Sequence, residues 1–433
     1  MVHVVNLGLP RGMRDLDSVD LDGINHVREK FIESARIFNF TMMEPSTLET
    51  LETLEAKAGP DISDEIYTMT DKGGRNIGLR FDLTIGLTRF VTRRRDLKLP
   101  VKIGSFGGVW RYDEPQSGRY RYFHQCDVEI YGSRSLASEL EVIEFMYVFL
   151  TKLGLDVTIE LNHRLLVEEF VAKKLVITGE DSVSEVFRVM DKVQKKGSQA
   201  ILKEYEGRIH VSVLEKIISF SSIRGDFLDI SNNGELTDLE NWKKMAELME
   251  VLKSRQVTKA MVNFGIVRGL DYYSGIVFEA FDSQIKVGAL AGGGRYDKLT
   301  DLFERKDMGA VGAAAGVERI LLSLRQRNLM QNDHSQTVYV ACTSEKTRAK
   351  AMSLVSNLRA SGFVTDFDLQ HRSLSRQLDD ASSKGASVVV IIAPKEIEHG
   401  EVIMKSLRTG KEKKLRMQNL VDELRVEVKK MPF

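Results

Sequence analysis

The sequence predicts an α+β protein with three parts: a body of strands and helices, a helical insertion, and a small α/β domain at the end. Three observations predict it. A hairpin of two strands is written over 109–131 (VWRYDEPQSGRYRYFHQCDVEIY). From about 165 to 257 the chain turns rich in Lys, Glu, Val and Leu at helical spacing, with few aromatics. Beyond 336, apolar strand-like runs alternate with helical ones, as a small α/β domain requires. The expected division is 1–164 and 258–326 for the two parts of the body, 165–257 for the insertion and 336–433 for the last domain.

Composition narrows the classes. At 433 residues, and roughly 150 residues per domain, about three domains are expected. Formal net charge is zero, so no global field draws the chain to nucleic acid or membrane, and any polyanion must be held by local basic patches. Cys126 and Cys342 stand far apart in apolar runs; two isolated cysteines make no zinc motif and read as reduced, buried thiols. The N-terminus lacks a long apolar h-region and a cleavage site, and the longest apolar run, 387–393, is too short to span a bilayer. A soluble, cytoplasmic protein is expected, with no membrane partner.

In chain order, PRGMRD at 10–15 reads as a turn. A helix over 23–38 follows, capped by Asp20 or Asp22, with Ile24, Val27, Phe31, Ile32 and Ala35 on one stripe. The run 40–49 is a strand closed by Pro45, which suits a sheet edge or an interface, or a plain strand end. Segments 66–70 and 77–82 form a hairpin leading into a helix that Asp82 or Thr84 would cap; a carboxylate there could equally anchor an ammonium. Arg93, Arg94 and Arg95 read first as a solvated helix end and second as a phosphate contact.

The hairpin over 109–131 carries the chemistry. Side chains alternate along a strand, which puts Phe123, Gln125, Asp127 and Glu129 on one face and Cys126, Val128 and Ile130 on the other. The second set is core. The first offers an aromatic plate, an amide and carboxylates beside Arg111, Arg119 and Arg121. Arginine forks suit phosphate, an aromatic face suits a base, and buried carboxylates suit a cation. The simpler reading is an edge hairpin with a solvated polar face.

A helix over 136–153 and a strand over 157–161 precede the insertion, whose lysines read as a solvated face or as contacts to a nucleic-acid backbone. Strand structure resumes over 261–281 (MVNFGIVRGLDYYSGIVFEAF). AGGGRYDKL at 291–299 and a small-residue strand running into a helix over 308–324 follow, with Arg319 in the first turns of that helix. These glycines fit close strand packing and also let a ligand approach the backbone. Neither a P-loop nor a dinucleotide fingerprint is present there. The KEKK run at 411–414 reads as a hairpin tip in water.

Taken together, the Pro45 strand, the 109–131 hairpin and the Arg319 helix resemble the three signature motifs of class II aminoacyl-tRNA synthetases. RGLDYYSGIVFE at 268–279 and AGGGRYDKL resemble the two histidine-specific motifs of the histidyl-tRNA synthetase family. PRGMRD and the α/β tail agree, so the resemblance spans essentially the whole chain. It implies a six-stranded antiparallel catalytic sheet flanked by helices, an anticodon-binding domain at the end, and a homodimer with the Pro45 segment at its interface. It implies histidine and ATP as substrates, Mg²⁺ on the ATP phosphates, no protein-bound zinc, and the histidine tRNA as partner.

The resemblance also assigns roles. Arg111 matches the arginine on the α-phosphate, with Arg268, the family's catalytic arginine, opposite it. Asp113 and Phe123 match the adenine side, and Arg319 the grip on the far phosphates. Asp82, Thr84 and Gln125 fall where the family holds the ammonium, Glu129 and Tyr273 where it reads the imidazole. Arg119, Tyr272 and Tyr296 fall in matching motif positions. One departure is visible: many bacterial members carry Glu after a proline where this chain has Phe81 and Asp82. Three other readings compete: a regulatory paralogue that lost catalysis, a class II synthetase for another amino acid, and an RNA-binding module. Retention of Arg268, Glu129 and the tail domain speaks against the first, RGLDYY and Glu129 against the second, and three arginines serving one site against the third.

Overall fold

The computed structural model describes residues 8–56, 60–112, 114, 120–177, 179–267, 273–330 and 337–429. The chain divides into two compact units, Met1–Leu329 and Met330–Phe433.

In the first unit the strands are β1 Thr41–Met42, β2 Leu48–Thr50, β3 Thr68–Thr70, β4 Asn76–Leu79, β5 Val101–Trp110, β6 Tyr122–Tyr131, β7 Val157–His163, β8 Arg224–Gly225, β9 Ala260–Asn263, β10 Ile276–Asp282, β11 Ala291–Arg295 and β12 Ala310–Gly316. Nine of them form one sheet in the order β1-β5-β6-β12-β11-β10-β7-β9-β8. Its centre, β5 to β7, is six strands joined by antiparallel ladders throughout, as expected. The sheet is wider than the expected six: β1 adds in parallel beside β5, β9 in parallel beside β7, and β8 antiparallel beside β9. The strand expected over 40–49 is two short ones, β1 and β2, in different sheets on either side of Pro45, and a two-residue strand such as β8 is too short to show a period of two in sequence. A small second sheet, β2-β4-β3, holds the hairpin expected over 66–82.

The long central strands form where β-branched and aromatic residues alternate with polar ones, and β6 has the expected bounds. The helix Leu136–Lys152 is almost wholly apolar on its sheet side, burying Leu140, Ile143, Phe145, Met146, Phe149 and Leu150. Phe31 of the Ser18–Ile37 helix meets both Phe145 and Phe149 edge-on, 5.7 and 5.5 Å between centroids. That helix starts a turn earlier than expected. Its cap is Asp17, whose carboxylate accepts the Asp20 N–H at 2.8 Å. Asp20 instead pairs with Arg14 and Arg325, each at 2.7 Å.

Between β7 and β9 the described chain is mainly helical, from Arg164–Phe170 and the π-helical Val171–Leu175 through Glu180–Lys196, Ser198–Glu204, Val211–Ser221 and the short Phe227–Ile230 helix to Glu240–Ser254, with β8 as its one strand among the described residues. Apolar residues on facing stripes pack it, with Phe170 stacked on Phe220 at 3.8 Å.

The second unit has β13 Val338–Cys342, β14 Thr365–Phe367, β15 Val388–Ile392, β16 Glu401–Ser406 and β17 Glu412–Arg416 in the order β14-β13-β15-β16-β17. Here KEKK is corrected: Glu412, Lys413 and Lys414 belong to the edge strand β17, paired with β16. Exposed charge on an unpaired edge discourages further strand addition. Both cysteines are buried and free. Among the described residues no helix is long and apolar enough to cross a membrane.

Candidate active site

Two adjoining cavities lie over β6, β12, β11 and β10. The smaller, about 90 Å³, is lined by Asp82, Thr84, Gln125, Glu129, Tyr273 and Tyr296 over a floor of Gly292, Gly312, Ala313 and Ala314. The larger, about 200 Å³, is lined by Phe123, Glu279, Glu318 and Arg319. Arg111, Gln125, Gly292 and Ala314 belong to both.

The strand register explains the floor. Glu129 faces Gly312 across β6 and β12, Gly312 faces Gly294 across β12 and β11, and Glu279 faces Gly292. Opposite residues of an antiparallel pair share a face, so two carboxylates rise from either side of a strip of glycines. The strip has to be small. A Cβ on Gly312 would sit 1.4 Å from a Glu129 carboxylate oxygen, and one on Gly294 would sit 2.8 Å from the Tyr273 ring.

The small pocket is polar, buried and hydrogen-bonded. Glu129 is 1% exposed and accepts a short hydrogen bond from the Tyr296 hydroxyl. Asp82 accepts the Ile85 N–H at 3.1 Å, so it serves the start of the Thr84–Arg93 helix and lines the pocket at once; the N-cap position itself is Leu83. Below, the Thr88 hydroxyl donates to the Thr84 carbonyl and lies 3.0 Å from the Tyr131 hydroxyl. Burial, then the nearby carboxylates Glu129 and Glu279, pushes the Tyr273 phenol well above its ordinary range. It is therefore a neutral O–H donor at physiological pH. The Gln125 amide oxygen is buried with no hydrogen-bond partner among the described residues, which marks a place for a donor from outside.

The cleft carries the cations and the aromatic plate. Arg111 Nε donates to the Phe81 carbonyl at 2.9 Å, and its guanidinium lies over the Phe123 ring, 5.2 Å from the centroid. Arg319, in the first turn of the Val317–Gln326 helix, donates to the Ala289 carbonyl at 2.6 Å. Glu318 accepts the His124 N–H at 2.9 Å and lies 3.0 Å from His124 Nδ1, which pins this helix to β6. Behind the site, Arg80 is buried and donates to the carbonyls of Gly108 and Pro45 and to Glu44. One guanidinium thus joins the Pro45 segment to β5.

A phosphate chain suits the two arginines, a flat base suits the ring, and a small cationic, ring-bearing molecule suits the pocket. The sequence model described as Histidyl-tRNA synthetase matches residues 12–320. The chain belongs to the histidyl-tRNA synthetase family. A second model, described as Anticodon binding domain, matches residues 337–427. A histidine–tRNA ligase of Wolinella succinogenes is 33% identical over 395 residues, covering 87% of this chain and 88% of the relative. One from Thermococcus kodakarensis is 31% identical over 426 residues, covering 96% and 97%. Among solved structures, a histidyl-tRNA synthetase from Nostoc superposes with a TM-score of 0.82 at 22% identity, over 98% of this chain and all of that one. At that identity the likeness speaks for the fold.

Of the family residues expected from sequence, Asp82, Thr84, Arg111, Phe123, Gln125, Glu129, Tyr273, Tyr296 and Arg319 line the two cavities. Asp113, Arg119, Arg268 and Tyr272 lie outside the described residues. Asp127, on the same face of β6, lines neither cavity and is fully buried. Sequence reasoning missed Glu279 and Glu318. The signal for Glu279 was available, since it is the one charged residue inside IVFEAF and falls on the face of Val277. Glu318 carried no such signal, because an acidic residue in a first helical turn is ordinary.

Proposed function

We propose that this chain joins histidine to ATP, forming histidyl-adenylate and pyrophosphate, and then esterifies the 3′ end of the histidine tRNA. The observation that carries the reading is the small polar pocket opening, through Arg111 and Gln125, onto the cleft with Phe123 and Arg319.

Histidine enters with its ammonium toward Asp82, Thr84 and Gln125, whose buried amide oxygen takes an N–H. Its neutral imidazole lies between Glu129, which accepts the ring N–H, and the Tyr273 hydroxyl, which donates to the other nitrogen; Tyr296 holds Glu129 in place. Sites that hydrogen-bond both ring nitrogens reject similar-sized side chains far better than an apolar pocket does. The adenine stacks on Phe123, with Asp113 at its side. Arg319 grips the far phosphates, and Arg111 and Arg268 flank the α-phosphate; Arg119 and Tyr272 hold matching positions in the same family motifs.

A histidine carboxylate oxygen attacks the α-phosphorus, and the bond to the β-phosphate's bridging oxygen breaks as pyrophosphate leaves. The nucleophile is already ionised, so no protein base is needed. Preorganised guanidinium groups stabilise the negative charge that spreads over the α-phosphate oxygens. Mg²⁺ held by the ATP phosphates would neutralise part of their charge, and the Glu279 carboxylate on the cleft floor is an oxygen donor that would suit it. In the second step a ribose hydroxyl of the tRNA attacks the adenylate carbonyl and AMP leaves. Residues 165–257 act as an insertion, 336–433 bind the anticodon, and the enzyme works as a cytoplasmic homodimer with the Pro45 segment at its interface.

A neighbour from Bacillus halodurans, titled "ATP phosphoribosyltransferase regulatory subunit/histidyl-tRNA synthetase", superposes with a TM-score of 0.74 at 23% identity. A regulatory paralogue is expected to have lost Arg268 or Glu129, and usually the anticodon-binding domain, and this chain keeps all three. The test is pyrophosphate exchange into ATP with each of the twenty amino acids, with Arg268→Ala beside the wild type. Exchange with histidine alone, abolished by the substitution, is expected. Absence of exchange with every amino acid would point to the regulatory reading.

A further inference from the structure

We propose that Arg164 is a positioning residue that sets the histidine pocket from outside and ties it to the helices that follow. This rests on the functional reading above. Arg164 opens the Arg164–Phe170 helix directly after β7. Its backbone N–H donates to the Gly275 carbonyl at 2.9 Å, and its guanidinium Nη1 donates to the Tyr273 carbonyl at 3.1 Å. One residue thus holds two carbonyls on the short run that carries Tyr273 into β10. From the other side the Ser274 N–H donates to the Arg295 carbonyl at 2.6 Å, and the Asp297 N–H donates to the Ser274 hydroxyl at 3.1 Å.

The consequence lies at the far end of Tyr273. Its hydroxyl is at the end of a long lever, so a small rotation of the backbone shifts it by about 1 Å, and misplacement on that scale costs up to roughly 100-fold. Gly294 leaves room for the ring but supplies nothing that would hold the backbone. Arg164 supplies it.

The same guanidinium faces the helical segment. Its Nε donates to Glu168 at 2.7 Å, and its plane lies over the ring of Phe187, 5.5 Å from the centroid, in the Glu180–Lys196 helix. Phe187 is buried, and the Arg164 side chain is only 11% exposed. A planar fork can serve a carboxylate, a carbonyl and an aromatic face together, whereas a lysine ammonium cannot. Movement of the Phe187 helix therefore reaches the pocket through one side chain. A merely structural arginine at a helix start would affect the whole enzyme and not one substrate.

The experiment measures exchange kinetics for the full chain. Arg164→Ala is expected to raise the KM for histidine about 10- to 100-fold, the value of a hydrogen bond from a charged donor, with the KM for ATP changed less than about twofold. Arg164→Lys should recover part of the loss. Phe187→Leu, which keeps the Tyr273 contact, should raise the histidine KM by about threefold, and the double variant should be no worse than Arg164→Ala. An unchanged histidine KM, or equal changes for both substrates, overturns the proposal. Should Arg164→Ala not fold, Arg164→Lys and Phe187→Leu are read by the same split. A wild type without histidine-dependent exchange would sink the functional reading itself.

Discussion

β6 and β15 are both buried central strands, and they are built on opposite principles. β15 reads VVVII, and its alternate residues enter two separate cores: Val388, Val390 and Ile392 on one side, Val389 and Ile391 on the other. β6 is buried from Gln125 to Tyr131, yet only the face of Cys126, Val128 and Ile130 is apolar throughout, with Tyr131 joining a core at the end of the opposite face. Its other face holds Gln125, Asp127 and Glu129, at most 7% exposed. Burying carboxylates costs several kcal/mol unless each is well partnered. A strand that accepts this cost beside two arginines is built for a ligand, and one that avoids it is built for stability.

The sharpest way to break this contrast is to exchange the consequences. Arg111→Ala should lower histidine-dependent exchange by about 10²- to 10³-fold while leaving thermal stability almost unchanged; a comparable loss of melting temperature would mean that Arg111 holds the fold. Val390→Ala should do the reverse. Removing two methyl groups from a fully buried site costs about 2–3 kcal/mol, read by denaturant unfolding, with activity per folded molecule unaltered.

The end of β7 sharpens the contrast, because His163 is a half-buried polar residue outside both cavities, with its Nδ1 fully buried. Burial first, then the charges of Lys244 and Arg295, lowers its imidazole pKa from 6.5 to about 4, and its Nδ1 has no hydrogen-bond partner among the described residues. Folded-state pKa below unfolded pKa means that the unfolded chain binds the proton first. Stability is then full above about pH 6.5 and falls as pH drops toward 4, by at most about 3 kcal/mol. His163→Gln should flatten that limb in unfolding measured between pH 7 and 4.5, with exchange at pH 7.5 unaffected. The smallest effect is expected at the pocket floor. Gly312→Ala drives a methyl into the Glu129 carboxylate, and should raise the histidine KM by about tenfold as Glu129 is pushed aside.

The same contrast explains what was legible in sequence. The bounds of β6 and the face carrying Phe123, Gln125 and Glu129 could be read because polar residues inside a strongly apolar strand are expensive and therefore informative. Asp82 and Tyr296 were placed only by resemblance, since nothing in a single sequence brings residue 82 or 296 to residue 129. Strand pairing does that for Tyr296, through Gly294 and Gly312, and the Arg111 hydrogen bond to the Phe81 carbonyl ties in the loop of Asp82. Strand structure was expected over 40–49 and from 261, but the parallel pairing of β1 and β9 was not legible, because their neighbours in the sheet, β5 and β7, are distant in the chain. The cap at Asp17 escaped for a related reason, because Asp17, Asp20 and Asp22 are chemically equal and only the packing of Val27 and Phe31 decides the start of the helix. KEKK looked like a tip because charge usually marks a turn, yet an exposed edge strand wants charge as well.

The central claim is a division of labour along one face of β6, with ATP at the Arg111–Phe123 end and histidine at the Glu129 end. Calorimetric binding of histidine and of ATP to the wild type and to Glu129→Gln tests it most directly. The account predicts that Glu129→Gln weakens histidine about 10- to 100-fold, the value of a charge-assisted hydrogen bond, while ATP binds within about twofold of the wild type. Unchanged histidine affinity, or an equal loss for both ligands, would contradict it.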